Sequence, residues 1–260
     1  MSTTQPEPAV RLTISATCAR ITLARPSRRN ALNDSAWCLF TEVCRQVALN
    51  NEVRAVVLDG DGEHICAGAD IHELAANIHD AEWLRANQSH VALALDAWAV
   101  LPQPTIAVMR GSCFGGGAAL AVGADFRIVS HSARFAVTPA RLGLTYRLVD
   151  CVRLSQLVGP ARARELLLLA REIDGTTAER WGLATVLVDV SEISTAEAEL
   201  LNRIAALSGY SQRGIKTTLL KIRDGAIADD AETQQIFGEA FNAPDFVAAT
   251  AQFSAKSKRP

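Results

Sequence analysis

Hydrophobic and polar positions follow two different periods along the chain. Residues 53–58 and 105–109 are short, largely apolar runs, which are typical of strands buried on both faces. The segments 33–49 and 80–100 carry the helical period, and residues 33, 34 and 35 are all good helix caps. Residues 126–130 form a further strand-like run. Strands that alternate with helices predict parallel βαβ units and an α/β core.

The two ends of the chain depart from this alternation. Residues 11–23 contain alternating segments that predict a hairpin or edge strands. From residue 154 onward the pattern is mainly helical, with one late strand predicted at 185–190. The helices predicted in this part are 160–170, 177–182, 195–207, 212–223 and 229–241. An α/β core is therefore followed by a helical C-terminal part.

Two segments rich in small residues follow the two central strands. Residues 65–71 have the sequence ICAGADI, residues 111–120 have the sequence GSCFGGGAAL, and each enters a helical pattern. Turns of this kind can leave backbone N–H groups unpaired and directed at a ligand. Two such N–H groups that converge on one carbonyl oxygen form an oxyanion hole. The alternative is a pair of glycine-rich turns that only join a strand to a helix.

The same segments carry a family resemblance. Four motifs occur in this order along the chain: residues 25–32 (RPSRRNAL), ICAGADI, the GGG segment followed by Asp125, and Arg153-Leu154. This set resembles the crotonase (enoyl-CoA hydratase/isomerase) superfamily over residues 10–258. The resemblance implies an α/β fold: a crotonase-like spiral of ββα units with a helical C-terminal trimerisation region. We expect one domain, with an acyl-CoA-binding core at 1–195 and its helical C-terminal part at 196–260.

The resemblance also implies which residues form the site. It places the two oxyanion-hole donors at Ala69 and Gly116, where small residues let a thioester oxygen approach the backbone. It implies contacts to coenzyme A at Arg28, Arg29, Ala67, Asp70, Ile71 and Lys256. Considered without the resemblance, Asp70 is a helix cap, the arginines are a solvated charge pair and Lys256 belongs to a solvated terminus.

Two positions depart from the family pattern. Hydratases of this family carry two catalytic glutamates, and the corresponding positions here hold Ala119 and Pro139. Neither residue can transfer a proton, whereas hydration needs acid-base groups. In some family members a later loop supplies a carboxylate, at a position that is Arg147 here. Asp150, one helical turn further on, is the candidate acid-base, and its alternatives are a helix cap or an ion pair with Arg147 or Arg153.

Composition narrows the function classes without choosing among them. The chain has 260 residues and a net charge of -2, and neither feature indicates a nucleic-acid or membrane partner. Six scattered cysteines without a CxxC pair, and histidines without HxxxH or HExxH spacing, indicate no metal or disulfide framework. We therefore expect a cytoplasmic protein with no tightly bound cofactor. Coenzyme A is expected only as part of the substrate, and the resemblance implies a homotrimer or homohexamer.

These features predict an enzyme that acts on acyl-CoA and stabilises a thioester enolate. We expect an enoyl-CoA hydratase/isomerase-like lyase or isomerase that is not an efficient hydratase. The alternative is a crotonase fold that binds acyl-CoA without turnover. A Rossmann nucleotide enzyme is excluded, because residues 111–117 do not have the G-x-G-x-x-G spacing.

Overall fold

The computed structural model describes residues 8–256, and residues 252–256 by their backbone alone. Within this range the strands are β1 (Val10–Ser15), β2 (Cys18–Leu23), β3 (Ala55–Gly60), β4 (Thr105–Met109), β5 (Ser112–Phe114), β6 (Phe126–Ser130), β7 (Arg134–Ala136), β8 (Ile173–Asp174) and β9 (Val186–Val188). The helices are α1 (Asp34–Ala48), α2 (Ile71–Ala76), α3 (Ala81–Ala99), α4 (Gly116–Gly123), α5 (Leu148–Val158), α6 (Pro160–Leu168), α7 (Gly175–Arg180), α8 (Ile193–Ala205), α9 (Gly209–Arg223), α10 (Ala231–Glu239) and α11 (Pro244–Lys256).

The larger sheet has six strands in the order β1-β2-β3-β4-β6-β9. The predicted N-terminal hairpin is confirmed, since β1 pairs antiparallel with β2, and every later pairing in this sheet is parallel. Strands β4 and β6 have the predicted bounds. Both lie inside the sheet and are mostly buried, so their apolar runs end where the strands end. The predicted α/β core of parallel units is therefore confirmed.

A smaller sheet, in the order β5-β7-β8, was not predicted. Its strands have only two or three residues, too few for a hydrophobic period to show. They exist because β5 pairs in parallel with β7, which pairs antiparallel with β8. This sheet matters for the site, because β5 leads directly into the glycine segment before α4.

The helical C-terminal part is confirmed, with shifts at some helix starts that follow from capping. The helix predicted from residue 212 begins at Gly209, because the Ser208 side chain accepts a hydrogen bond from the Ser211 N–H. The helix predicted from residue 177 begins at Gly175, after the cap Asp174. Helix α11 was not predicted. The predicted division between 195 and 196 falls inside α8 and stays a prediction, as does trimer formation.

Aromatic packing fixes α1, α3 and α4 relative to the sheet. The buried rings of Phe40 on α1 and Trp98 on α3 meet edge to face, with centroids 6.0 Å apart. The indole N–H of Trp98 donates to the Leu120 carbonyl of α4 at 2.8 Å. Because three helices are tied together here, the beginning of α4 is held in a defined place against α1.

Candidate active site

The two small-residue segments lie side by side in parallel register. The backbones of Cys66 and Cys113 pair in an isolated parallel β-bridge, without a disulfide bond. The Phe114 N–H donates to the Cys66 carbonyl at 3.0 Å. Counting three residues forward on both segments leads to Ala69 and Gly116. The glycines just before them are in contact, since a Cβ placed on Gly115 would lie 3.8 Å from the Gly68 Cα. The register therefore places both predicted donor residues three positions beyond the bridge, each directly after one of these two glycines.

The N–H of Ala69 is left free by the way its segment pairs with residue 32. Leu32 donates its N–H to the Gly68 carbonyl at 2.8 Å and accepts from the Asp70 N–H at 2.9 Å. In a parallel bridge, the residue between two bonded neighbours directs its own N–H to the opposite side. Within the described part of the chain, the N–H of half-buried Ala69 has no acceptor.

The N–H of Gly116 is free for a different reason. Gly116 is the first residue of α4, so its N–H has no partner in the helix, and it has none elsewhere among residues 8–256. Gly115 precedes it at φ 50° and ψ -112°, a conformation open to glycine. A Cβ on Gly116 would lie 2.8 Å from the Trp37 ring, so this position requires glycine.

Two free N–H groups that point at the same place can hold one oxygen that gains negative charge. The start of α4 adds the positive end of the helix dipole at the same place. Neither donor depends on a side chain. What the arrangement can do chemically is therefore to polarise a bound carbonyl and stabilise its oxyanion.

Asp70 has a clear structural role, since it caps α2 as the sequence predicts. Its Oδ1 accepts from the N–H of His72 at 3.2 Å and of Glu73 at 3.4 Å, and its Oδ2 accepts from Arg25 at 2.8 Å. Burial acts to raise the pKa of Asp70, but the hydrogen bonds from Arg25 and the helix N–H groups outweigh it and lower the pKa. Arg25 is the partner that the sequence analysis missed.

Among the other residues predicted to contact coenzyme A, Ala67, Arg29 and Ile71 lie near this cap. The Ala67 N–H donates to the Arg29 carbonyl at 2.9 Å, which brings these two together, while the arginine side chains at 28 and 29 are exposed. Ile71 is the exposed first residue of α2. Lys256 is the last residue of α11, and its side chain lies outside the described residues.

The positions of the expected glutamates hold no ionisable group. Ala119 is buried on α4, one turn after Gly116. Pro139 begins a short 3-10 turn, Pro139–Leu142, after β7. Any proton transfer near the two N–H groups therefore has to come from other residues.

Asp150 lies buried in the first turn of α5, with 2% of its surface exposed. Its Oδ1 accepts from Arg153 at 2.8 Å, and Arg147 lies 3.8 Å from its Oδ2, so the ion pair foreseen as an alternative is present. Both arginines also bind Asp96 of α3. The Asp150 Oδ2 is buried and accepts no hydrogen bond from the described residues. Burial raises the pKa of Asp150, although the two arginines oppose the shift.

Tyr146 connects this carboxylate with the glycine segment. Its hydroxyl donates a long hydrogen bond of 3.4 Å to the Gly115 carbonyl. Burial, and next the neighbouring Asp150 carboxylate, raises the pKa of Tyr146 well above its usual range. Tyr146 therefore keeps its proton and is a hydrogen-bond donor. From the sequence, Tyr146 was a candidate for the acyl pocket wall or for a hydrogen bond to the substrate, and its bond to Gly115 could not be predicted from its local pattern.

The free thiols of Cys66 and Cys113 do not have the properties of nucleophiles. Both are fully buried, and burial raises the pKa of Cys66 to about 12 and that of Cys113 well above its usual range. A thiol in this state is not ionised at neutral pH. Both residues act as small buried side chains that let the segments approach each other.

Comparisons with known proteins agree over nearly the whole chain. A model of the family described as Enoyl-CoA hydratase/isomerase matches residues 13–259. A short-chain-enoyl-CoA hydratase from Clostridium acetobutylicum is 32% identical over 246 residues, which is 92% of each chain. A mitochondrial Delta(3,5)-Delta(2,4)-dienoyl-CoA isomerase from Dictyostelium discoideum is 29% identical over 80% of this chain and 75% of its own.

The fold comparison leads in the same direction. The crystal structure of an enoyl-CoA hydratase/isomerase family protein from Hyphomonas neptunium matches with a TM-score of 0.91 and 33% identity, over 95% of both chains. An enoyl-CoA hydratase/carnitine racemase from Magnetospirillum magneticum matches with a TM-score of 0.89 and 29% identity, over 95% of this chain and 93% of its own. Among the described residues, no helix has the length and apolar character needed to cross a membrane.

Proposed function

The chain belongs to the enoyl-CoA hydratase/isomerase family, and from this premise we propose that it acts on acyl-CoA thioesters through an oxyanion hole. The donors in this proposal are the backbone N–H groups of Ala69 and Gly116. The observation that supports it is the parallel backbone register of Cys66 and Cys113, since the residue three positions beyond each of them has an N–H without an acceptor among the described residues. A thioester oxygen bound there draws electron density from the α-carbon, so that the α-proton becomes more acidic.

Coenzyme A, in this proposal, lies along the segment from Ala67 to Ile71. Hydrogen bonds of the Asp70 side chain to two helix N–H groups and to Arg25 tie this segment to its surroundings, which suits a surface that contacts adenine and pantetheine. The side chains of Arg28 and Arg29 are exposed and have no ion pair with any described residue, so they are available to phosphates. Lys256 is the third proposed phosphate contact. Coenzyme A enters as part of the substrate, with no tightly bound cofactor.

The reaction we propose uses one base rather than two glutamates. Asp150 takes the α-proton of a 3-enoyl thioester, and the electron pair moves to the oxygen held by the two N–H groups. Asp150 then returns the proton to the γ-carbon, which gives the 2-enoyl thioester. The double bond shifts, and no water is added. The Asp150 Oδ2 accepts no hydrogen bond from the described residues, and its pKa is raised; both features suit this role, since a carboxylate with a raised pKa is a stronger base. The protonated Tyr146 lies beside it as a donor.

The absence of both expected glutamates supports a poor hydratase. Ala119 and Pro139 can neither activate water nor protonate carbon. The same two residues also support a second candidate, a protein that binds acyl-CoA without turnover. The ion pair of Asp150 with Arg153 supports it as well, because a carboxylate held in an ion pair can have a purely structural role.

The test is proton exchange at the α-carbon of butyryl-CoA in D2O, followed by mass spectrometry. This measurement detects enolate formation whatever the final product is. We expect exchange with the parent protein and its loss in Asp150→Asn, with binding retained by calorimetry. Asp96→Asn is the matched control, because it disturbs the same arginines without removing the base, and we expect exchange to continue.

Each other result decides between the proposals. Binding of acyl-CoAs without exchange would identify the binding protein. Exchange that survives in Asp150→Asn would assign the base elsewhere. No binding of any acyl-CoA at millimolar concentration would overturn the proposed function itself.

We also propose a homotrimer or homohexamer, assembled through the C-terminal helices. Helix α9 exposes Ile215, Leu219 and Ile222, which stand four and three residues apart on one face. Phe237 and Phe241 add an exposed aromatic pair whose centroids lie 5.7 Å apart. Large apolar patches of this kind are typical of association surfaces.

A further inference from the structure

Outside the proposed hole, three side chains of different ligand types meet where α1 packs on α3. Asp34 is the first residue of α1, Cys38 stands one turn later on the same face, and His90 lies in the middle of α3. One oxygen, sulfur or nitrogen atom from each lies within 4.8 Å of the others. The His90 Nδ1 and the Asp34 Oδ1 are 2.9 Å apart.

These separations are close to those around a tetrahedral metal ion. With the usual zinc bond lengths, ligand nitrogen and oxygen atoms stand about 3.3 Å apart, and a sulfur atom stands about 3.6 Å from either. The Asp34 and His90 atoms need to separate by only a few tenths of an ångström, and small side-chain rotations of Cys38 close the remaining gap. Cys38 is exposed and His90 is half-buried, so these rotations meet little resistance.

We infer that Asp34, Cys38 and His90 form a binding site for a divalent transition metal of the zinc class. The set of one carboxylate, one thiol and one imidazole suits zinc, whereas magnesium and calcium prefer oxygen ligands alone. Three protein ligands leave the fourth position open to water or a small anion.

A neighbouring side chain orients the carboxylate, as is usual around bound metals. The Asn87 amide donates to the Asp34 Oδ1 at 2.8 Å, and Asn87 is itself buried. Partners of this kind fix a ligand's direction and commonly alter metal affinity by about 10–100-fold. Besides the three ligands, the site therefore includes Asn87, which orients one of them.

An ion at this site would stabilise the beginning of α1 against its neighbours. The Asp34 backbone N–H donates to the Glu73 carboxylate of α2 at 2.7 Å. Trp37, on the next turn of α1, is the residue that packs against Gly116. An ion that joins α1 to α3 would therefore fix the first turns of α1, which contact α2 and Gly116.

The experiment uses the full chain without an affinity tag, stripped by a chelator and titrated with Co²⁺ as a spectroscopic probe. We expect one ion per chain, a thiolate-to-cobalt band in the near ultraviolet and visible bands of tetrahedral coordination. Zn²⁺ should displace the cobalt, and excess Mg²⁺ should not. Cys38→Ser should abolish the thiolate band, and His90→Gln should weaken binding by at least about 10-fold, since even the loss of a residue that only orients a ligand has an effect of that size.

Two control variants make the assignment specific. Cys18→Ser and His131→Gln remove a cysteine and a histidine on other elements, and both should bind as the parent does. Circular dichroism checks that every variant is folded. Zn²⁺ should also raise the thermal unfolding midpoint of the parent and of both controls, but not that of Cys38→Ser. Absence of a thiolate band in the parent, or its survival in Cys38→Ser, would overturn the inference.

Discussion

Removal of a single backbone N–H tests the proposed oxyanion hole most directly. Gly116→Pro would remove one donor, but its Cβ would meet the Trp37 ring at 2.8 Å, so loss of activity could reflect misfolding alone. Lactic acid incorporated in place of Ala69 avoids this problem, because it keeps the methyl group and replaces the N–H by an ester oxygen. No hydrogen bond within the described residues is lost, since the Ala69 N–H has no acceptor there.

The expected magnitude follows from the role of one donor. Loss of one oxyanion-hole donor typically lowers kcat by about 10²–10³, or roughly 2.7–4 kcal/mol. Stability should fall far less. The ester makes the Gly68 carbonyl a weaker acceptor for the Leu32 N–H at 2.8 Å, and weakening one hydrogen bond costs about 0.5–1.5 kcal/mol.

The assay combines the exchange rate with an optical signal. Binding of a 2,4-dienoyl-CoA to two hydrogen-bond donors should shift its absorption to longer wavelength, and the Ala69 ester should reduce that shift. Lactic acid at Ala133 is the matched control, because its N–H makes an ordinary turn bond to Ser130 at 3.0 Å away from the proposed site. That variant should lose a little stability and keep its rate. A folded Ala69 ester with the parent's exchange rate and full optical shift would refute the assignment.

Three further outcomes follow from the structure. Under our proposal that Ala119 and Pro139 occupy the positions of both acid-base glutamates, crotonyl-CoA hydration should be very slow, because loss of each such group lowers the rate by about 10²–10⁴; hydration at the rate of an ordinary hydratase would refute this. Asp70→Asn keeps the cap but loses the ion pair with Arg25, so we expect about 1 kcal/mol lower stability at pH 7. Because folding lowers the pKa of Asp70, this difference should shrink as the pH falls below about 4, and denaturant titrations at several pH values would measure it. Sedimentation should show a trimer or hexamer at micromolar concentration, and a stable monomer would contradict that expectation.

The sequence predicted those parts of the fold that rest on local pattern. Strands β4 and β6 were located to the residue, because strands buried on both faces are apolar throughout. Strands β5, β7 and β8 could not be located, because two or three residues become a strand only when a partner is present. For the same reason the sequence could suggest the small residues of the proposed hole, but not the backbone register of Cys66 and Cys113.

Side-chain roles divide in the same way. The ion pair of Asp150 with Arg153 joins residues three apart on one helix, so the spacing indicated it. The contribution of Asp96 could not be foreseen, because it comes from a helix much earlier in the chain. The cluster of Cys38 and His90 was missed on the same ground, since motif spacing detects ligands on one element and here two helices supply them.

The proposed hole is made of main-chain atoms, and this has a consequence for how such a protein changes over generations. A point mutation can replace the side chain at Ala119 or Pro139 by any other, yet it cannot delete an N–H except by introducing proline. The device that polarises the carbonyl is thus inherited separately from the groups that move protons. A lineage can lose one chemistry and acquire another while every intermediate still holds the thioester. A protein engineer can use the same freedom, by varying the residues around the hole in a library and leaving the two segments unchanged.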